Sequence, residues 1–405
     1  MEDCKRIIVI GNGAAGLNAV KSIRNSDKET PILIISKEEY RTYYRPQLSS
    51  LIVKDMQKKR FYVQSPEWYQ ENNIDELLGV EVKAIDPKKK KIILSTNEEL
   101  DYSKLIIATG SYNFIPPIKA GNTILSSDNY RSFEGIYSIK DIKDALEVKE
   151  ALDKAQTAVV LGGGLLGLEA AWEMKQKGLN VKVIEFFPRL LPKQLDVEGS
   201  RIFEDIASDS GVDIILGDSI TEIVMENSTL RGLKLQSGKE INCDILLCSV
   251  GIRCNLKLAE AAGVEINRGI VVNSKMETSI PGIYACGDCA EVNGMVYGNW
   301  MASIEMGKIA GENVVGNTSL FEDFSSSLML NSLGAKIFSA GSMNFEDQEL
   351  VQLSFRQARQ YKKLFFKENK LQGGILIGNI GSMAKINAGI KNSMTREEAL
   401  ASGIL

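Results

Sequence analysis

A run of four apolar residues, Ile7 to Ile10, is followed by Gly11-Asn12-Gly13-Ala14-Ala15-Gly16 and a helical stretch through Ser22; "PILIIS" at 31–36 is the next apolar run. Strand, glycine turn, helix and strand in this order predict a βαβ unit. The device returns in "AVVLGGGLLGLEAA", with Gly162, Gly164 and Gly167, and "NVKVIE" supplies its second strand, ending at Glu185. Between the two units, Leu105 to Ala108 read as a strand that stops at Thr109-Gly110. "YSIKDIKDALEVKEALDKA" has the apolar spacing of an amphipathic helix. Further on, "DILLCSVGI" and "GIYACGDCAEV" read as strands, the second running into Gly287-Asp288, and "GNWMASIEMGKIAGENVVG" reads as a helix ending in glycine.

The pattern changes near Phe321. "KKLFFKENKLQGGILIG" predicts a β-hairpin turning near Asn369-Lys370, and "TREEALAS" a short helix capped by Thr395. The expected fold class is α/β: two doubly wound, Rossmann-like, three-layer dinucleotide-binding domains plus a small C-terminal α+β domain. The expected division is 1–118 and 244–320 for a split first domain, 119–243 for the second and 321–405 for the third.

Each glycine of a G-x-G-x-x-G turn has a distinct task. The first permits the tight turn, the second lets a pyrophosphate approach the backbone, and the third lets helix and strand pack closely. The phosphate then sits on a helix N-terminus, whose free N–H groups and dipole attract anions. One such motif is a weak signal; two, each in its full strand–turn–helix context, predict two dinucleotides, most simply a flavin and a nicotinamide.

Composition removes other classes. The 405 residues are 44% hydrophobic and 25% charged, with a net charge of −4 spread along the chain. That argues against a nucleic-acid binder. No apolar run approaches the ~18 residues of a membrane span. The N-terminus enters the first strand almost at once, with no signal peptide, and the six cysteines then read as reduced thiols of a cytoplasmic protein. Histidine is absent, which excludes it as general base, metal ligand or proton shuttle. The scattered cysteines predict no metal site.

Taken together, these residues resemble the two-dinucleotide flavoprotein reductases of the pyridine-nucleotide-dependent oxidoreductase superfamily. "YSKLIIATG" and "GIYACGDCAEV" are similar to its later flavin segments. "YYRPQLSS" and "VIEFFPRLLPKQLD" look most like rubredoxin reductases and the flavin domain of nitrite reductases. The end at Leu405, before the iron–sulfur and sirohaem modules of nitrite reductases, favours the rubredoxin reductases.

The resemblance implies FAD at the first turn and NADH at the second. Gly11, Gly13, Ala14, Ala15 and Gly16 would hold the flavin pyrophosphate. Ser36, Lys37 and Glu38 surround the place of the adenosine ribose, with Ser36 and Glu38 both open as its partner. Arg45 would neutralise a flavin phosphate or pack near the ring, and Val82 would touch adenine through its backbone. Ser49, Ala108, Thr109, Gly110, Gly251 and Gly287 would line the cofactors, and Asp288 would accept hydrogen bonds from the ribityl chain. The helix predicted over 299–310 would aim its N-terminus at the flavin, with Trp300 stacking on cofactor rings. Gly162, Gly164, Leu165, Leu166 and Gly167 would hold the NADH pyrophosphate, and Glu185 its adenosine ribose. Glu169 would stand beside the nicotinamide. Related ferredoxin reductases carry there a lysine where this chain has Ser50, and Lys54 is the nearest replacement if the segment is helical.

Many flavoenzymes of this layout place a redox cysteine in the segment matching "EEYRTYYRPQLSS"; here Arg45, Pro46 and Gln47 stand in its place. Cys286-Gly287-Asp288-Cys289 spells C-x-x-C but encloses the Gly-Asp turn that would grip the flavin. With no dithiol and no histidine, the expected electron acceptor is a small one-electron carrier such as rubredoxin. Direct reduction of oxygen, or slow turnover in a redox sensor, are the alternatives. Rubredoxins being acidic, a basic surface would receive the carrier. Lys88–Lys91 is one candidate and Lys362, Lys363, Lys367 and Lys370 the favoured one, since the resemblance puts the third domain nearer the flavin.

Overall fold

The computed structural model describes residues 6–56, 61–322, 324, 326–341, 351–357 and 359–404. The chain forms two compact units. One comprises Met1–Pro46, Met56–Tyr112 and Ile252–Phe324; the other comprises Gln47–Asp55, Asn113–Gly251 and Ser325–Leu405.

In the first unit a parallel sheet of five strands runs Ile283–Ala285, Lys104–Ile107, Ile7–Ile10, Ile32–Ser36, Ile74–Leu78. The central strands are buried along their whole length, which explains why they read as unbroken apolar runs rather than alternating ones. The first helix, Ala14–Ser26, extends a turn beyond the stretch expected from its pattern. It packs against the helix Trp300–Val314 at very close range. A Cβ on Gly307 would stand 2.2 Å from the Ala15 carbonyl oxygen, and one on Gly311 2.3 Å from that of Ala19. Three antiparallel strands, Val82–Asp86, Lys91–Leu94 and Glu99–Asp101, complete the unit and put the Lys88–Lys91 run at a hairpin tip, as expected. Phe321 and Phe324 stay with this unit, their rings edge-on to Tyr297.

The second unit is built on a parallel sheet in the order Ile136–Tyr137, Ile245–Cys248, Thr157–Leu161, Asn180–Glu185, Asp213–Leu216. The amphipathic segment forms the helix Ile142–Leu152, begun by a reciprocal capping box between Asp141 and Asp144. A second sheet of five strands, Thr123–Leu125, Ile118–Ala120, Ile220–Glu226, Thr229–Leu235 and Glu240–Asn242, packs its apolar face into the same core. The C-terminal sheet is antiparallel, in the order Ser327–Ser332, Ala335–Gly341, Lys370–Ile377, Gln360–Lys367, Val351–Gln357. Glu368 and Asn369 both have positive φ, the two-residue turn that matches strand twist. Helices Met383–Lys391 and Arg396–Ala401 follow, the latter capped by Thr395 as predicted.

Candidate functional site

The first glycine turn leaves the central strand at Ile10. Gly11 has φ +113, and a Cβ there would lie 2.1 Å from the carbonyl oxygen of Ala108, so only glycine lets this turn pass the end of the neighbouring strand. A Cβ on Gly16 would lie 1.9 Å from the Gly11 carbonyl oxygen. Around Gly13, by contrast, nothing comes within 4 Å. The helix it opens has no side-chain cap, and Ala14 and Ala15 are buried beneath it. Asn12 is buried too; it accepts from the Thr42 hydroxyl at 2.6 Å, and its own amide nitrogen has no partner. Open space, uncapped N–H groups and an unsatisfied donor fit an anionic pyrophosphate.

At the end of the second strand, the Ser36 hydroxyl accepts from the Glu38 backbone N–H at 3.1 Å, and Lys37 is exposed. The Glu38 carboxylate is taken by Tyr43, whose hydroxyl donates at 2.7 Å, and by an ion pair with Arg45. Arg45 also donates to the Tyr43 hydroxyl at 2.8 Å. The arginine expected on a flavin phosphate or near the ring thus stands on the acid expected at the ribose. Val82 starts its strand, paired with Leu94, and is buried.

The Gly-Asp turn closes the same unit. Asp288 accepts from Ser111 at 2.9 Å and from Ser303 at 3.2 Å. Neither serine was evident as a partner in the sequence. Gly287 has φ +78, and a Cβ on it would meet Ala15 at 2.7 Å, so the turn is pressed against the glycine-motif helix. Thr109 and Gly110 form the other rim, tied to Asn255 through the Asn255 amide, which donates to Thr109 at 2.8 Å, and its backbone N–H, which donates to Gly110 at 3.0 Å. Asn299 caps the helix Trp300–Val314 by accepting from Ala302 at 2.8 Å. Trp300, its first residue, meets the half-exposed ring of Tyr44, centroids 5.2 Å apart and tilted by 33°.

Asp288→Ala is expected to weaken flavin retention by roughly 5- to 150-fold, because deleting a hydrogen-bonded acceptor in such a site costs about 1–3 kcal/mol. The flavin-to-protein absorbance ratio after dilution checks this; full occupancy at low protein concentration would remove Asp288 from the role.

The second unit repeats the glycine geometry of the first turn. Gly162 has φ +114 with Ser249 oxygen 2.3 Å from its Cβ position, Gly164 faces open space, and a Cβ on Gly167 would lie 2.2 Å from the Gly162 carbonyl oxygen. The helix Leu165–Gln176 is uncapped by any side chain, with Leu166 exposed at its start. Glu185 sits beside the turn, accepting from Gly163 N–H at 2.6 Å and from Phe187 N–H at 2.8 Å. This geometry fits a second pyrophosphate with an acid beside it. Gly251 has φ +107, and its carbonyl accepts from Phe114 N–H at 2.9 Å.

Glu169 lies one turn into that helix and accepts from Ser49 at 2.9 Å. Burial pushes its carboxyl upward, against the Ser49 hydrogen bond and with help from the nearby Glu173 charge. Ser50 instead donates to the Gln47 carbonyl at 3.0 Å, and Lys54 pairs with Glu173 at 2.7 Å. Lys54 therefore does not replace the family lysine at Glu169. Within the short helix Leu48–Leu51, adjacent residues diverge by about 100°, and it is Ser49 that faces the acid.

The lysines favoured for docking are corrected in part. Lys363 is nearly buried and bonded to Asp196 at 2.5 Å, and Lys362 donates to the Ile404 carbonyl at 3.0 Å. An ammonium committed to an internal carboxylate cannot greet a partner. The C-x-x-C pair is fully buried, and Cys289 donates to the Cys286 carbonyl at 3.3 Å. Burial raises both thiols and pushes Cys243 and Cys248 to about 12. Cys4 lies outside the described residues. Among them, no group of three or more acidic or cysteine side chains could hold a metal ion, and no helix is long and apolar enough to cross a membrane.

Two parallel sheets, each ending in a glycine turn that fits a pyrophosphate, define a protein with two separate dinucleotide sites. Residues 5–307 match the pyridine nucleotide-disulphide oxidoreductase family, and the chain belongs to it; residues 327–394 match the rubredoxin NAD+ reductase C-terminal domain. The chain is 33% identical over 378 residues to a nitrite reductase [NAD(P)H] of Bacillus subtilis (strain 168), covering 93% of this chain but only 46% of that protein. It thus spans about half the length of that relative. It is 31% identical over 314 residues to a rubredoxin-NAD(+) reductase of Alcanivorax borkumensis, covering 77% of this chain and 79% of that one. The solved NADH:rubredoxin oxidoreductase from Clostridium acetobutylicum superposes with a TM-score of 0.78 at 28% identity, covering 98% and 99% of the two chains. The cofactors that go with this family, FAD and NADH, are those of this chain.

Proposed function

We propose that this reductase passes electrons from NADH, through FAD, to a small iron carrier protein of the rubredoxin type. The observation that carries the reading is the state of the thiols. Every cysteine among the described residues is free and buried, and the 38–50 segment holds Arg45 where a redox cysteine would stand. Among the described residues, no exposed thiol pair stands ready to take the electrons. Bound FAD supplies the chemistry this requires, taking up a hydride and giving up electrons singly. The chain's own residues do the rest: Asp288 and the uncapped helix at Gly13 hold and orient the flavin, Glu185 and the helix at Gly164 hold the nucleotide, and Trp300 with Tyr44 presents an aromatic face that excludes water.

Steady-state assays, anaerobic with rubredoxin and aerobic without it, test this. NADH oxidation should be fast with rubredoxin and slow with oxygen alone, and a Cys286→Ala, Cys289→Ala variant should keep the rate. Equal rates with oxygen would make the protein an oxidase. Turnover with neither acceptor would leave the sensor reading, and loss of flavin reduction in the double variant with flavin still bound would restore the dithiol.

The same site sets nucleotide preference. The Glu185 carboxylate beside the turn would meet a 2′-phosphate as a like charge, an encounter that costs several kcal/mol, and Phe186 and Phe187 bring no cation to offset it. The kcat/KM for NADH should exceed that for NADPH by about 100-fold, or ~2.7 kcal/mol. Equal values would remove Glu185 from the ribose.

A further inference from the structure

The two glycine turns are steadied by opposite means. In the second, Gly162, Gly163 and Gly164 follow one another, and the middle one has no room for a side chain: a Cβ on Gly163 would stand 2.8 Å from the Leu190 side chain. That turn is held through its backbone, by the Gly163 N–H that donates to Glu185 at 2.6 Å. In the first turn the middle residue is Asn12, the one side-chain handle between Gly11 and Gly13. Glycine on each side leaves the peptides around Asn12 with the widest choice of conformation.

Thr42 takes hold of that handle. Its hydroxyl lies 2.6 Å from the Asn12 side-chain oxygen and 3.1 Å from the Asn12 carbonyl oxygen, so one donor stands between the side chain and the backbone of the same residue. Both residues are buried, where water does not stand in for a lost donor. Thr42 is itself fixed: its carbonyl accepts from Val63 N–H at 2.9 Å, and two residues on, Tyr44 N–H donates to the Phe61 carbonyl at 2.8 Å. With the side-chain oxygen of Asn12 turned to Thr42, its amide nitrogen is left with no partner among the described residues. We infer that Thr42 is a positioning residue of the flavin site, one that sets the Asn12 amide and the glycine turn in place before the flavin arrives. This step rests on the reading of the first turn as the flavin pyrophosphate site. A turn fixed in advance loses less freedom on binding and so holds its ligand more tightly.

The test is a double-mutant cycle on flavin retention. Flavin-loaded wild type, Thr42→Val, Asn12→Ala and the double variant are diluted, and the flavin each releases is measured. Valine has nearly the shape of threonine without its hydroxyl. Thr42→Val should weaken retention by roughly 3- to 10-fold, the span of one hydrogen bond. The flavin that stays bound should keep its wild-type visible spectrum, because the pyrophosphate is remote from the ring. Asn12→Ala should weaken retention at least as much. A residue that acts through another adds nothing once the other is gone, so the double variant should match Asn12→Ala within about twofold, the scatter of such cycles. Thr42→Ser, which keeps the hydroxyl, should match the wild type within the same margin, and Thr42→Ala should behave as Thr42→Val does. Wild-type retention in Thr42→Val would overturn the proposal. So would losses that multiply in the double variant, which would make Thr42 an independent packing residue. A Thr42→Ser protein that sheds flavin as the valine variant does would overturn it too. A Gly16→Val protein that keeps its flavin would overturn the reading of the turn itself, a result distinct from all of these.

Discussion

A Gly167→Val variant is expected to keep its flavin and to lose about 100-fold or more of its rate of flavin reduction by NADH, while Gly16→Val should emerge from purification without flavin. The two glycines occupy equivalent places. A Cβ would stand 2.2 Å from the Gly162 carbonyl oxygen in one case and 1.9 Å from the Gly11 carbonyl oxygen in the other, with Val160 and Val9 side chains at 3.3 and 3.4 Å behind. No rotamer relieves such a contact, because the nearest obstacle in both cases is a backbone carbonyl. The helix must lift from the strand, and its first N–H groups then leave the line on which they meet a phosphate. Misplacement of about 1 Å at a positioning element is enough for a loss on the order of 100-fold.

Because each turn lies in its own unit, the two variants should fail separately. Flavin absorbance reads the first failure. Stopped-flow reduction by NADH reads the second, with dithionite showing that the bound flavin of Gly167→Val can still be reduced. A Gly167→Val protein reduced by NADH at the wild-type rate would remove the second turn from nucleotide binding. A Gly16→Val protein fully loaded with flavin would do the same for the first.

These turns were legible in the sequence because most of what defines them is local. A positive φ, the approach of the third glycine to the first and an uncapped helix start all arise within a dozen residues of chain, and glycine spacing encodes them directly; only the strand ends that the first glycines pass, at Ala108 and Ser249, lie far away. The partners of the site acids were not legible, because they come from far along the chain. Asp288 receives Ser111 and Ser303, and nothing in the serines themselves marks them. Ser49 reaches Glu169 and Ser50 does not, a choice made by the phase of a four-residue helix. Lys54 lies beyond the end of that helix, and Glu173, one turn past Glu169, receives it. Arg45, expected on a flavin phosphate or near the ring, pairs with Glu38 instead. One signal was present and passed over: Gly307 and Gly311, four apart on the helix Trp300–Val314, are the small residues that let it meet the first helix at backbone contact.

The lysines of the C-terminal hairpin show the same limit with a larger consequence. Lys363→Met is expected to cost about 3 kcal/mol of stability, which for a unit of this size lowers the melting temperature by roughly 6–12 °C. Asp196 is buried at the start of the helix Val197–Ser208, where one oxygen caps Gly199 N–H at 2.8 Å. Its other oxygen accepts from Tyr361 at 2.8 Å and from Lys363 at 2.5 Å. Burial, with the carboxylate beside it, pushes the Tyr361 phenol far up, so tyrosine stays a neutral donor there and cannot balance the charge. Lys363 is the cation paired with Asp196, and its side chain is only 12% exposed. Removing it strands a buried carboxylate on two neutral donors. Lys362 points elsewhere, to the Ile404 carbonyl, with its ammonium 5.9 Å from the Phe355 ring centre, so Lys362→Met should cost less than about 1 kcal/mol, as exposed substitutions usually do. Thermal melting of the two variants side by side decides the matter. If Lys363→Met melts with the wild type and instead slows reduction of the carrier in a salt-dependent way, the lysine serves the surface after all, and the buried pair contributes nothing that the neutral donors do not already supply.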